Sequence, residues 1–309
     1  MKILIVGAGA IGGLFGGYLE RAGLRPMWLV RPARKQQLAQ GLTIRLPDES
    51  WSVDPWLVTA DELTAPVDLV ILTNKAFALD GVMTDIAPAV GPATLILPLL
   101  NGLAHLDWLD ATFGSERVLG GIAKTVATLA DAQTVVVNNA LSSLSIGARR
   151  PLQMAAVEDI RRCFREAGIR LDDDADIMQA MWDKFCRMAA LGAANCLLQG
   201  HVGDYMRSQA GGEIALRLFA ECTAVAAAAG YPLPEESVRG FQRALTNPKS
   251  SFSSSMYRDM QQGLPIEGEH LVGDMLSRAA DLGLPSPMLD VANALLQTYS
   301  ARLAQAVAE

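Results

Sequence analysis

Basic residues are the minority in this chain: 26 lysines and arginines stand against 33 acidic residues over 309 positions, a net charge of -7. A general nucleic-acid binder needs basic surface to neutralise phosphates, so that class is excluded. Cysteine is scarce too. The four present, Cys163, Cys186, Cys196 and Cys222, include no CxxC pair. That spacing argues against a disulfide framework or a thiolate zinc site and fits reduced, packed thiols. The three histidines, His105, His201 and His270, have no second His or Cys at ligand spacing, so no metal is expected. Long apolar runs are also missing, because the richest stretch, around Ala87 to Leu106, is broken by Pro88, Gly91, Pro92, Pro98 and Gly102. Met1 to Val6 enters a strand at once and leaves no room for the three regions of a signal peptide. These absences predict a soluble, cytoplasmic protein with neither a membrane nor a nucleic-acid partner.

Apolar residues, by contrast, are plentiful. They make up 50% of the chain, enough to bury a sizeable core, and 309 residues favour two domains over one. In the first half, short β-rich runs alternate with helical stretches. Strands are predicted at Ile3–Val6, Met27–Val30, Leu69–Thr73, Thr94–Leu97, Val118–Thr128 and Leu141–Ile146. Helices are predicted at Ile11–Ala22, Lys35–Gln40 and Ala78–Ala87. Strand–helix alternation of this kind implies an α/β, doubly wound parallel sheet of the Rossmann type. Beyond about Leu171 the β-branched runs vanish. Helical spacing then runs over Ile177–Leu198, Gly212–Ala229, Glu267–Leu282 and Pro287–Ala308. The expected division is an α/β domain over 1–173 and an all-helical domain over 174–309.

Gly7-Ala8-Gly9-Ala10-Ile11-Gly12 fits G-x-G-x-x-G, follows the first strand and opens the first helix. In that setting Gly7 permits the tight turn and Gly9 lets the backbone approach a pyrophosphate. Gly12 brings helix and strand close. The N–H groups of Ala10, Ile11 and their neighbours at the helix start then face the phosphates. An NAD site usually carries an acid at the end of the second strand. Here the chain reads Val30-Arg31-Pro32-Ala33-Arg34-Lys35. Basic residues oppose the dipole at a helix start, so three together suggest an external anion. Arg31, aided by Arg34 or Lys35, can bind a 2′-phosphate, which favours NADP(H) over NAD(H).

Three other places draw attention, each with an ordinary alternative. Lys75 follows an apolar strand, where α/β sheets bind ligands, or is a solvated loop lysine. Asn101-Gly102 follows the next strand and is equally a plain turn. Lys184 lies in an apolar, alanine-rich helix, where a lysine can also snorkel to solvent. The run Ser250-Ser251-Phe252-Ser253-Ser254-Ser255 reads either as a flexible linker or as a helix start with hydroxyls poised for a carboxylate.

Taken in order, these features resemble the ketopantoate reductase family. The resemblance runs through Gly7 to Gly13, Arg31, Asn74-Lys75-Ala76, Asn101-Gly102 and Trp182-Asp183-Lys184-Phe185. It continues through Ser254 to Asp259, Glu267, Gly273 and Gly283-Leu284-Pro285-Ser286-Pro287, and so covers essentially the whole chain. It implies NADPH-dependent reduction of a 2-oxo acid, with ketopantoate giving pantoate for pantothenate and coenzyme A synthesis. By position it makes Lys184 the general acid and Glu267 the group that orients substrate. Ser255 becomes the carboxylate binder, while Lys75 and Asn101 hold the nicotinamide end of the cofactor beside the substrate. The family usually places asparagines four and eight residues after the lysine; this chain has Met188 and Gly192 there. That departure leaves a second 2-oxo acid or ketone open as substrate. A non-catalytic NADP(H) sensor is the reading from a different class, disfavoured by the retention of Lys184, Ser255 and Glu267. The apolar helical half offers a surface for a homodimer.

Overall fold

The computed structural model describes residues 1–137 and 142–308, with side chains described to residue 306. It divides into two compact units, one of residues 1–100 and 105–177, the other of 101–104 and 178–309.

The first unit is built on a five-stranded parallel sheet, with strands β1 (Ile3–Val6), β2 (Met27–Leu29), β5 (Trp56–Val58), β6 (Leu69–Leu72) and β7 (Leu95–Pro98). Their spatial order is β5-β2-β1-β6-β7, all pairs parallel. Every residue of β1 and β6 is buried. Unbroken apolar runs are what a central strand covered on both faces requires.

A second sheet, in the order β4-β3-β10-β9, contains β3 (Leu42–Arg45), β4 (Ser50–Val53), β9 (Ala127–Asp131) and β10 (Thr134–Val137). A two-stranded ribbon pairs β8 (Gly120–Lys124) with β11 (Ser143–Gly147). The expected single strand over 118–128 is therefore two strands in different sheets. The expected strand over 141–146 is seen from Ser143, and Leu141 lies outside the described residues.

Helix α1 (Ala10–Arg21) is packed between the two larger sheets. A Cβ at Gly16 would lie 2.5 Å from the Trp28 ring, and one at Gly17 would lie 2.5 Å from Ile44. Glycine costs a helix interior about 1 kcal/mol relative to alanine. Here that cost is offset by the approach of two apolar surfaces, since Trp28 and Ile44 are fully buried at about 1.5–3 kcal/mol per large apolar side chain. Helices α2 (Pro32–Gln37), α3 (Leu79–Ile86), α4 (Ala104–Phe113) and α5 (Met154–Glu166) complete the α/β pattern. The start of α2 lies three residues before the expected one: Pro32 is pre-set for the first helical turn, and Arg31 is the N-cap.

The second unit is helical. A central element is α6 (Ile177–Leu198), with Cys186, Ala189, Ala190, Ala193, Ala194 and Cys196 all buried. A helix apolar on most of its circumference is stable only when surrounded. Around it lie α7 (Val202–Tyr205), α8 (Gly211–Ala228), α9 (Glu235–Leu245), α10 (Ser255–Gln261), α11 (Asp274–Asp281) and α12 (Pro287–Ala308). One turn of π-helix, Glu269–Gly273, leads into α11. Continuous α-helix was expected there. Among the described residues, no helix is long and apolar enough to cross a membrane.

Candidate functional site

In the first unit the candidate residues gather at the carboxyl ends of β1, β2 and β6. Gly7 leaves β1 with φ +94°, a conformation that favours glycine, and its N–H donates to the Leu29 carbonyl over 3.0 Å. Thr73, just past β6, donates its hydroxyl to the carbonyls of Val6 (2.8 Å) and Gly7 (3.1 Å). A Cβ on Gly12 would fall 2.0 Å from the Gly7 carbonyl oxygen and 2.5 Å from the Thr73 hydroxyl. No residue but glycine fits at that point. Gly9 is the opposite case, since a Cβ there would meet nothing within 4 Å. The loop is thus tight on its inner side and open over Gly9. Helix α1 begins with no side-chain cap and no acid in its first turn. Its leading N–H groups, those of Ala10 and Ile11 among them, suit an anion. These features fit a dinucleotide pyrophosphate.

The three basic residues after β2 have separate roles. Arg34 donates to the Ala8 carbonyl through Nη2 (2.7 Å) and Nε (3.3 Å), and it also reaches the Ala132 carbonyl. It ties the glycine loop in place. Lys35 pairs with Glu62 at 2.6 Å, and that hydrogen bond, with two from Thr59, pulls the Glu62 carboxyl down to about 2. Arg31 is exposed, and its guanidinium makes no hydrogen bond or ion pair among the described residues. The basic group available to a 2′-phosphate is therefore Arg31, and neither Arg34 nor Lys35 is uncommitted. Lys75 is exposed and caps the short 3-10 turn Ala76–Ala78 after β6.

In the second unit, α6 sets the direction of Lys184. Trp182 is buried, stacks on Tyr231 with ring centroids 5.7 Å apart, and carries the Arg278 guanidinium at 5.7 Å. That clamp fixes the rotation of the helix. Asp183 turns to another side, where its carboxylate accepts from Arg187 and, over 2.6 Å, from the Ser237 hydroxyl. Lys184 is half-buried.

Glu267 is 5% exposed, and Asn101 Nδ2 donates to its Oε2 over 3.4 Å. Gly102 beside it has φ +80°, and a Cβ there would lie 2.6 Å from the carbonyl oxygen of His270, inside the π-turn. The turn at 101–104 thus seats on the backbone that follows Glu267.

Ser255 opens α10. Its neighbour Ser254 is the N-cap, its hydroxyl accepting from Tyr257 N–H at 3.1 Å. The serine run ends as a helix start rather than as a linker. Ser255 itself is half-buried, and its hydroxyl makes no hydrogen bond among the described residues. The structure therefore joins Asn101 to Glu267 directly and does not bond Ser255 to either. Sequence reasoning missed Thr73 and the tethering role of Arg34. Both act across long sequence separations, and neither carries a local signal.

Residues 3–151 match the family described as ketopantoate reductase PanE/ApbA, and residues 176–300 match the C-terminal part of the same family. The chain belongs to the ketopantoate reductase family. That is a family of NADP(H)-dependent oxidoreductases, and this chain is an enzyme of that general class. It is similar to an uncharacterized oxidoreductase, YkpB, of Bacillus subtilis, with 32% identity covering 97% of this chain and 99% of the relative. A PanE/ApbA family ketopantoate reductase from Ralstonia eutropha superposes with TM-score 0.87 at 26% identity, covering 98% of this chain and 99% of that one. D-mandelate dehydrogenase, solved with NADH and anilino(oxo)acetate, shares the fold at TM-score 0.88 and 22% identity, covering 98% and 99%. Among the described residues, no group of three or more His, Cys, Asp or Glu is placed to hold a metal.

Proposed function

We propose that the protein reduces a 2-oxo acid to the 2-hydroxy acid with NADPH, and family membership nominates ketopantoate, giving pantoate. Residues 1–173 serve as the NADP(H)-binding domain and 174–309 as the helical substrate domain. One 2-oxo acid, one NADPH and one proton yield one 2-hydroxy acid and NADP+.

The glycine loop, with Gly7, Gly9, Ala10, Ile11 and Gly12, receives the pyrophosphate, and Arg31 the 2′-phosphate. Lys75 and Asn101 hold the nicotinamide end and border the substrate. Bound NADPH supplies the hydride that adds to the ketone carbon. Negative charge then builds on the ketone oxygen, where the Lys184 ammonium stabilises it and donates the proton, later regained from water. Ser255, at the start of α10, receives the substrate carboxylate. Glu267, held by Asn101, orients the substrate.

The observation that carries this reading is the setting of Lys184. It lies on a clamped, apolar helix, and the adjacent carboxylate of Asp183 is already occupied by Arg187 and Ser237. An ammonium held on a fixed helix face and partly removed from water stabilises a developing alkoxide more strongly than one in bulk solvent. A second reading, the same chemistry on another 2-oxo acid, is favoured by Met188 and by the Met256 methyl packed against Gly192. The test is stoichiometric: purified protein, NADPH and ketopantoate or another 2-oxo acid should consume one NADPH per hydroxy acid formed. Tight NADPH binding with no turnover of any such acid would overturn the reading in favour of a sensor.

A further inference from the structure

The face of α6 that carries Lys184 continues through Met188 and Gly192, one and two turns further on. At neither Met188 nor Gly192 does it carry a hydrogen-bonding side chain; the next one along the face, Asn195, is buried and bonded within the fold. Met188 is a half-buried thioether. At Gly192 the helix is bare backbone, and the methyl of Met256, from α10, fills the space. A Cβ on Gly192 would lie 2.5 Å from that methyl carbon and 3.9 Å from the sulfur.

Three polar side chains near Gly192, those of Ser254, Asn195 and Tyr257, are held within the helical packing. Ser254 Oγ lies 4.0 Å from the same Cβ position and, as the N-cap of α10, accepts from the Tyr257 N–H. Asn195 is fully buried, its Oδ1 accepting from Ser254 N–H at 2.8 Å and its Nδ2 donating to the Gly200 carbonyl at 2.8 Å. Tyr257 accepts at its hydroxyl from Gln261 over 3.0 Å. A hydroxyl brought to this end of the face would lose its water and meet thioether carbon in exchange.

Resting on the 2-oxo acid reading above, we propose that Met188 and Met256, over the bare backbone of Gly192, form an apolar subsite. It selects 2-oxo acids with hydrocarbon side chains over those bearing a hydroxyl. Thioethers suit that role because they are unbranched, polarizable and adapt to branched or aromatic carbon. Met256 is a specificity-determining residue through its packing on Gly192, and Met188 through its exposed flank.

Two acids of nearly equal shape separate this inference from the reaction it rests on. Ketopantoate and trimethylpyruvate differ by one hydroxyl on the side chain. The wild-type protein should prefer trimethylpyruvate in kcat/KM by about 10–100-fold, the scale on which an apolar pocket treats an added hydroxyl. Met188→Asn should move the ratio toward ketopantoate by about tenfold or more. The ratio is internal to each protein, so a general loss of stability leaves it unchanged. Preference for ketopantoate in the wild type overturns the apolar subsite and leaves the reductase reading standing. A ratio unmoved by Met188→Asn removes Met188 from it. Turnover of neither acid, nor of pyruvate, defeats the reductase reading and this inference with it.

Discussion

Arg31, Arg34 and Lys35 are separated by a single helical turn, yet only Arg31 is uncommitted. Arg31→Ala should weaken NADPH by about 10–100-fold, the scale of lost charge-assisted hydrogen bonds, with little effect on NADH. Arg34→Ala removes the tether on Ala8 and should weaken both cofactors alike. Fluorescence titration with each cofactor checks the pair; equal responses in Arg31→Ala would assign the 2′-phosphate elsewhere. The buried thiols give a second test at this scale. Burial pushes Cys186 and Cys196 up to about 12 from an ordinary 9.0, and Cys222 well above it. A raised folded value means the fold holds the proton more tightly. Their stabilising contribution is therefore complete below about pH 9 and is lost as pH climbs toward about 12. Thermal midpoints should decline over that window. Near neutral pH no more than one of the four thiols, the half-buried Cys163, should react quickly with a disulfide reagent before denaturation.

At the scale of elements, Gly102 is the sharpest prediction. Alanine there must adopt φ +80° and place a methyl 2.6 Å from the His270 carbonyl. Gly102→Ala should cost about 1–3 kcal/mol in denaturant unfolding and raise KM as Asn101 leaves Glu267. A wild-type midpoint with unchanged KM would show that this turn does not position the pair. Legibility also varied by element. The central strands β1 and β6 read as continuous apolar runs because helices cover both faces. Strands β3, β4 and β5 are three or four residues long and mix exposed with buried positions, which leaves too little periodicity to detect. Val118 to Thr128 looked like one strand because no glycine or proline marks the break between β8 and β9. The π-turn at 269–273 has the composition of ordinary helix and carries no signature of its own. The glycine loop was legible because its parts are contiguous. The Asn101–Glu267 contact was not, since it spans 166 positions.

For the whole molecule, membership of the reductase family sets the general class of chemistry, and the proposed assignment joins a cofactor-binding α/β half to a substrate-binding helical half. The homodimer expectation is tested by light scattering. The most direct test of the central claim compares wild type with Lys184→Ala on the best 2-oxo acid, measuring NADPH consumption and NADPH affinity in the same preparations. The account predicts saturable turnover by the wild type. It predicts a fall of about 10²–10⁴-fold in the variant, the usual contribution of a positioned acid, with NADPH affinity essentially unchanged. Turnover in Lys184→Ala close to that of the wild type, or loss of NADPH binding in step with activity, would contradict it.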